Sequence, residues 1–439
     1  MIRKYLSWCL LPEKARNYLK YLERSQWFSQ DELEKIQLKK LSALLNYAYY
    51  NVPFYHRIYK ANGVHPSDLR ELDDITKFPV ISKSDFKKVF PKECLGKTYG
   101  PKDVVYGQTS GSTGNPLGMF VGKDKMYVRQ ASKLRFDRWA GLNPGERFVL
   151  FWFPGYKKRL ISKIKQKVDD VLSNRLSVGI RYIDECKIMT EIKRLQRFKA
   201  KIFRGYPQFL YIFAKYISEN NINGIKPSAV ISEGFLLLNG VRNYIEEVFG
   251  CKVSNHYGSV EITSIAQECS EHVGLHINAE NRFVEILKDG EVASSGERGE
   301  IVVTDLENYA MPFIRYRMED IATPTDETCA CGRGLPLIKN IEGRIFDFIL
   351  YKGKMFYPPH TIFYSPQYLK SIHNYQIIQN SPDEIEINLV ADNELNIDPI
   401  MKVFTESFPD MKISINFVSS IAPAPGGKHR FVYSKIAVN

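Results

Sequence analysis

Apolar residues recur at helical spacing from Ile36 to Val52, in IQLKKLSALLNYAYYNV, and predict an amphipathic helix that Pro53 stops. Residues 1 to 100 read as mostly helical. Beyond them the period changes. Arg147–Phe153 (RFVLFWF), Ala200–Arg204 and Ser228–Ser232 are short apolar runs, each followed by a helical pattern. That alternation predicts parallel strands joined by helical crossovers. From Ala279 to Thr304, strand-like runs flank turns such as Lys288-Asp289-Gly290-Glu291 and predict hairpins. After a boundary near Gly343, a strand, helix and strand pattern returns. The predicted fold class is α/β: a large N-terminal domain over 1–343 with mixed and parallel sheets and helices, and a small α+β domain over 344–439.

Composition narrows the function classes. With 44% hydrophobic and 25% charged residues in 439, the chain can bury a large core, which excludes disorder and coiled coil as main architectures. No run approaches the ~20 apolar residues that span a bilayer, and the start lacks a signal-peptide cleavage site. Seven cysteines, an odd number, point to a reducing compartment and a cytoplasmic protein. The net charge is +12, and Tyr156–Arg204 alone holds 15 Lys or Arg against 5 Asp or Glu. Such a segment attracts nucleic acid, anionic lipid or a phosphorylated ligand, or is a solvated helical face. No nucleic-acid module accompanies it, so nucleic acid is not an expected partner.

Gln108–Pro116, QTSGSTGNP, carries the strongest chemical signal. Glycines let backbone N–H groups converge on an anion, and Ser and Thr hydroxyls add donors, so the loop suits phosphate. It lacks the G-x-x-x-x-G-K-[ST] of a Walker loop, as does Pro425-Gly426-Gly427-Lys428-His429, where Ala422 replaces the first glycine. Downstream follow Ser232-Glu233-Gly234, then Asn255-His256-Tyr257-Gly258-Ser259-Val260-Glu261, then Arg315-Tyr316-Arg317-Met318-Glu319-Asp320, then Gly343-Arg344 and Gly427-Lys428.

In this order the motifs resemble the adenylate-forming acyl-CoA synthetase superfamily, and within it the phenylacetate-CoA ligase family with its capsular polysaccharide biosynthesis relatives. The resemblance runs from AYYNVPFYHRIY to Lys428. It implies a mobile C-terminal domain and two half-reactions: a carboxylate attacks the α-phosphate of ATP to give an acyl-adenylate and pyrophosphate, and a thiol, usually that of CoA, then displaces AMP. It implies that Ser110, Gly111, Ser112, Thr113 and Gly114 hold the β- and γ-phosphates and that Glu261 holds Mg²⁺. Asp320 would take the ribose hydroxyls, Arg344 the ribose or phosphate side, and Glu233 with Tyr257 and Gly258 the adenine. Lys428, with Glu261 and Thr113, would carry catalysis by meeting the charge between attacking carboxylate and α-phosphate. Two positions depart from the family: Glu319 replaces a glycine before the ribose aspartate, and Phe346, followed by Asp347, replaces a polar hinge residue.

Cys269, His272 and His276 in QECSEHVGLHIN, with Cys329-Ala330-Cys331 further on, are ligand types that Zn²⁺ prefers. The family resemblance favours Cys269, His276, Cys329 and Cys331 as a structural zinc set, His272 in reserve. Phe151–Tyr156 and Tyr206-Pro207 are either walls of an acyl pocket or buried strand ends, and the basic segment is a candidate receiver of CoA phosphates or of a charged saccharide or carrier-linked acceptor. Substrates are then ATP, a small-molecule carboxylic acid, and CoA or an amine acceptor such as an amino sugar. An inactive nucleotide-binding relative and a basic zinc-containing binding protein are the competing readings. Oligomeric state stays open, a homodimer included.

Overall fold

The computed structural model describes residues 8, 11–108, 117–152, 160–179, 185–237, 239–342, 349–352, 354–356, 358–359, 371–392, 395–421 and 432–436. They fall into two compact units, one holding the described residues up to 342 other than 160–163, and the other holding 160–163 with those from 349 onward.

The first unit opens with helices α1 (Glu13–Ser25), α2 (Gln30–Asn51), α3 (Pro53–Ala61) and α4 (Lys83–Val89). Helix α2 begins six residues before the apolar period does. Ser29 caps it, accepting from the Glu32 amide while the Glu32 side chain accepts from the Ser29 amide, so a polar capping box starts what the apolar stripe continues. Pro53 ends α2 and also starts α3, because its missing N–H costs nothing in a first helical turn. Leu41, Leu44, Leu45 and Ala48 face a core shared with Phe54, Phe86 and the strands downstream.

Strands β1 (Val104–Gln108) and β2 (Gly118–Gly122) pair antiparallel around the Gly/Ser/Thr loop. Helix α5 (Met126–Trp139) leads to the crossovers: β3 (Phe148–Phe151), α6 (Leu160–Leu172), β4 (Arg175–Val178), α7 (Glu185–Phe198), β5 (Ile202–Gly205), α8 (Pro207–Glu219), β6 (Ala229–Glu233), α9 (Asn239–Phe249) and β7 (Val253–Tyr257). The antiparallel strands follow: β8 (Ala266–Glu268), β9 (Leu275–Ile277), β10 (Arg282–Lys288), β11 (Glu291–Val292), β12 (Gly299–Asp305), β13 (Tyr316–Thr325) and β14 (Leu337–Ile341). One twelve-stranded sheet has the order β11-β10-β12-β13-β14-β9-β8-β7-β6-β5-β3-β4. Strands β7, β6, β5, β3 and β4 are mutually parallel, and every pairing on the other side of β7 is antiparallel. The three apolar runs are thus β3, β5 and β6. The Asp289-Gly290 turn has φ 53° and 95°, both positive as a tight two-residue hairpin requires.

The second unit holds the hairpin β15 (Ile349–Tyr351) and β16 (Lys354–Phe356), then β17 (Ile372–Ser381), β18 (Glu384–Ala391), α10 (Asp398–Ser407), β19 (Lys412–Phe417) and β20 (Val432–Ser434). Its sheet order β19-β18-β17-β20 mixes one antiparallel and two parallel pairings. Ile377, Ile385, Ile387, Leu389, Ile400 and Phe404 form a core of its own. Among the described residues, no helix is long and apolar enough to cross a membrane.

Candidate active site

Strand order reverses between β3 and β5, since β4 lies on one side of β3 and β5, β6 and β7 on the other. Open α/β sheets bind ligands beyond the carboxyl ends of their strands at such a switch point. Glu233 ends β6 and Tyr257 ends β7 on that same carboxyl edge, one and two strands beyond β5. Tyr257 donates to Asp320 Oδ2 at 2.7 Å, so the residues expected at adenine and ribose meet across the sheet. Asp320 reaches that position through a bulge: Glu300 pairs with Ile321 and Val302 with Arg317, leaving Met318, Glu319 and Asp320 opposite Ile301 alone. Glu319 sits inside the bulge at φ +60°, the left-handed region that glycine enters without a Cβ penalty. The departure from the family's glycine is therefore a side chain placed where the backbone favours none.

Glu261 is buried beyond a tight turn in which the Ile262 amide donates to Ser259 Oγ at 2.9 Å and the Ser259 amide to the Ile262 carbonyl at 3.0 Å. Arg129 donates to its carbonyl at 2.8 Å, and Tyr316 of β13 lies 3.5 Å from its carboxylate. A Cβ at Gly258 would stand 2.9 Å from the Ser264 amide nitrogen, so only glycine lets the turn close.

Sequence reasoning missed the charges behind Glu233. Arg204, buried at the end of β5, pairs with Glu233 at 3.2 Å and with Asp137 of α5 at 2.6 Å, and Lys133 donates to Asp137 at 2.9 Å. Burial works to raise the Glu233 carboxyl, but Arg204, His256 and Lys133 hold it below its ordinary value. Gln267 donates to the Phe136 carbonyl at 2.7 Å, which turns its Oε1 to accept from Nδ1 of His256 at 2.9 Å. Burial lowers the His256 pKa to about 4. The signal in the sequence was Arg204 itself, a charged residue closing an apolar strand.

The structure separates the two aromatic positions, Phe151 and Tyr206. Phe151 packs against Phe203 and Phe213 and is buried, so it belongs to the core and not to an acyl wall. Tyr206 does face the strand ends, edge-on to Phe235 and against Gly234, where a Cβ would meet its ring at 2.6 Å. Ser110, Gly111, Ser112, Thr113, Gly114, Phe153–Tyr156, Arg344, Phe346, Asp347 and Lys428 lie outside the described residues.

A second cluster sits elsewhere in the first unit. Cys269, His276, Cys329 and Cys331 bring one donor atom each within 4.8 Å of one another. β9 pairs with β14 at His276↔Leu337, a contact that closes the gap between the two halves of the set. Cys269 and Cys329 sulfurs are 3.6 Å apart, and Cys331 sulfur is 3.3 Å from His276 Nε2. The Leu335 carbonyl takes Nδ1–H of His276 at 3.2 Å, which leaves Nε2 as the metal-facing nitrogen. The Glu271 and Arg333 amides donate to the Cys269 and Cys331 sulfurs. Burial pushes the Cys269 thiol up to about 12. His272 turns away from the set and bonds Glu268 at 3.2 Å.

Residues 361–435 match the family model of the CapK C-terminal domain. The chain is 26% identical over 386 residues to phenylacetate-coenzyme A ligase of Thermus thermophilus, covering 84% of each. It is 25% identical over 417 residues to protein CapK of Staphylococcus aureus, covering 92% of this chain and 90% of that one. Over most of its length the chain is thus similar to phenylacetate-CoA ligases and to CapK. Its fold agrees. A solved 2-hydroxyisobutyryl-CoA ligase, in complex with 2-HIB-AMP and CoA in the thioesterification state, superposes with TM-score 0.68 at 20% identity over 94% of this chain and 91% of that one. The bulge of β13 and the ends of β6 and β7 bring Asp320, Glu233 and Tyr257 to one edge of the sheet.

Proposed function

We propose that the chain is an ATP-dependent, AMP-forming carboxylate ligase. A carboxylate oxygen bonds to the α-phosphorus of ATP, the bond from that phosphorus to the bridging oxygen breaks, and pyrophosphate leaves with its electron pair. A thiolate of CoA then attacks the acyl carbon, and AMP departs. The observation that supports this best is the Tyr257–Asp320 bond at 2.7 Å, with Glu233 at the end of β6 and Glu261 in the turn that follows β7. Asp320 presents two carboxylate oxygens, which suits the vicinal hydroxyls of a ribose. Glu261 presents a carboxylate near Tyr316 and would hold Mg²⁺ alongside phosphate oxygens. Ser110, Gly111, Ser112, Thr113 and Gly114 are assigned to the phosphates, Arg344 to the ribose side and Lys428 to the reacting centre by their order in the chain. The second unit is assigned the rotation between half-reactions, with Phe346 or Asp347 as pivot.

Cys269, His276, Cys329 and Cys331 would hold Zn²⁺. Three thiol sulfurs and one imidazole nitrogen, with the tautomer already set, fit a closed structural site with no position for substrate. Cysteines free of disulfides, among them Cys94 and Cys251, fit the cytoplasm.

Likeness to CapK over nine-tenths of the chain favours a second acceptor, an amine such as that of an amino sugar, with the adenylation unchanged. Product analysis separates the two. Incubation with ATP, an acid that is activated, CoA and an amino sugar should yield a thioester and AMP; an amide in place of the thioester would move the assignment to the second reading.

A further inference from the structure

Helix α6 turns an apolar face outward over its last two turns. Val168, Val171 and Leu172 fall on one face at helical spacing. That face of a βαβ helix ordinarily covers the sheet. Here Val168, Val171 and Leu172 are 50%, 71% and 57% exposed. The polar side turns inward instead: Asp170 accepts from Arg175 at 2.6 Å and from Ser177 at 2.9 Å, both on the edge strand β4.

Exposed cations surround the same end of the sheet. Lys167 precedes Val168, and Arg147, Arg197 and Lys199 stand at the amino ends of β3 and β5. These ends are held together, since Phe148 donates to the Asn174 carbonyl and Arg147 to the Phe198 carbonyl at 3.1 Å. The nucleotide motifs lie at the opposite, carboxyl ends. These cations are thus remote from any phosphate bound there, unlike Arg204 of the same basic segment, which stands beside Glu233 at the carboxyl end of β5.

We propose that the end of α6 and the basic rim of β3, β4 and β5 dock on an anionic lipid bilayer surface. An exposed apolar stripe flanked by lysines and arginines lies in the headgroup boundary, its apolar side chains inserted and its cations among lipid phosphates. Nucleic acid offers nothing to Val168, Val171 and Leu172. A second copy of a chain with net charge +12 would meet like charge at this rim.

The test is sedimentation of the full chain with phosphatidylcholine vesicles, with and without about one third phosphatidylglycerol. The wild type should pellet with the anionic vesicles alone, and less so as salt rises. Val171→Glu/Leu172→Glu should lose about tenfold or more in partitioning with an unchanged melting temperature, because both positions are exposed. Lys167→Glu/Lys199→Glu should weaken binding similarly. Equal partitioning of the variants, or no binding to anionic vesicles, would overturn the proposal. So would a dimer, seen by light scattering, that Val171→Glu/Leu172→Glu dissolves.

Discussion

Replacing Cys329 by Ser removes one of the four donors around the Cys/His cluster and should empty it. Two ~2.3 Å zinc–sulfur bonds at a tetrahedral angle put their sulfurs ~3.8 Å apart. Cys269 and Cys329 stand at 3.6 Å, Cys331 and His276 Nε2 at 3.3 Å, and all four donors within 4.8 Å of one another, so a metal enters with shifts of at most about 1 Å. A ligand present at a thousand times its dissociation constant stabilises the fold by about 4 kcal/mol. For a unit of this size that corresponds to roughly 5–10 °C in melting temperature. The cluster also fastens elements distant in the chain: Arg333 lies over Trp27 and Trp139, and Trp139 donates to Gln26 at the end of α1. Elemental analysis of purified protein should find about one zinc per chain in the wild type and almost none in Cys329→Ser, with the melting temperature lowered by that amount. Wild-type protein that is free of metal with its thiols reduced, or a variant that keeps both metal and melting temperature, would refute the assignment.

Three further outcomes follow from the candidate active site. Tyr257→Phe deletes the bond to Asp320 and should raise the KM for ATP about tenfold with little change in melting temperature, as measured by initial rates and thermal melts. Glu319→Gly relieves a left-handed side chain in the β13 bulge and should stabilise the protein by about 1 kcal/mol, measured by urea unfolding. His256 is held down to about 4 in the folded protein against 6.5 ordinarily, so the unfolded chain protonates first. Its contribution is full above the ordinary value and drains as pH falls towards about 4, by up to about 3 kcal/mol. His256→Gln should flatten the melting temperature across that window.

Local signals were legible where chemistry and neighbours lie close in sequence. The apolar periods of α2, β3, β5 and β6 and the Asp289-Gly290 hairpin turn needed nothing from elsewhere in the chain. Asp320 and Tyr257 were legible as members of an ordered motif set, but their direct bond depends on a bulge that no local pattern announces. The Cys/His set closes through the β9–β14 pairing, whose register is invisible without the fold. Arg204, Asp137 and Lys133 were unreadable because a buried charge is identified by partners separated by many residues, and singly each resembles a surface residue. Phe151 stayed open between core and pocket wall for the converse reason, since an aromatic at a strand end points inward or outward according to the pleat.

The central claim is adenylation, and carboxylate-dependent ATP–pyrophosphate exchange without any acceptor tests it most directly. Across a panel of aryl, short-chain, hydroxy and amino acids, at least one acid should drive exchange in the wild type, and Lys428→Ala should abolish it while ATP still binds. ATP binding with no exchange for any acid in the panel, or exchange that survives in Lys428→Ala, would contradict the account.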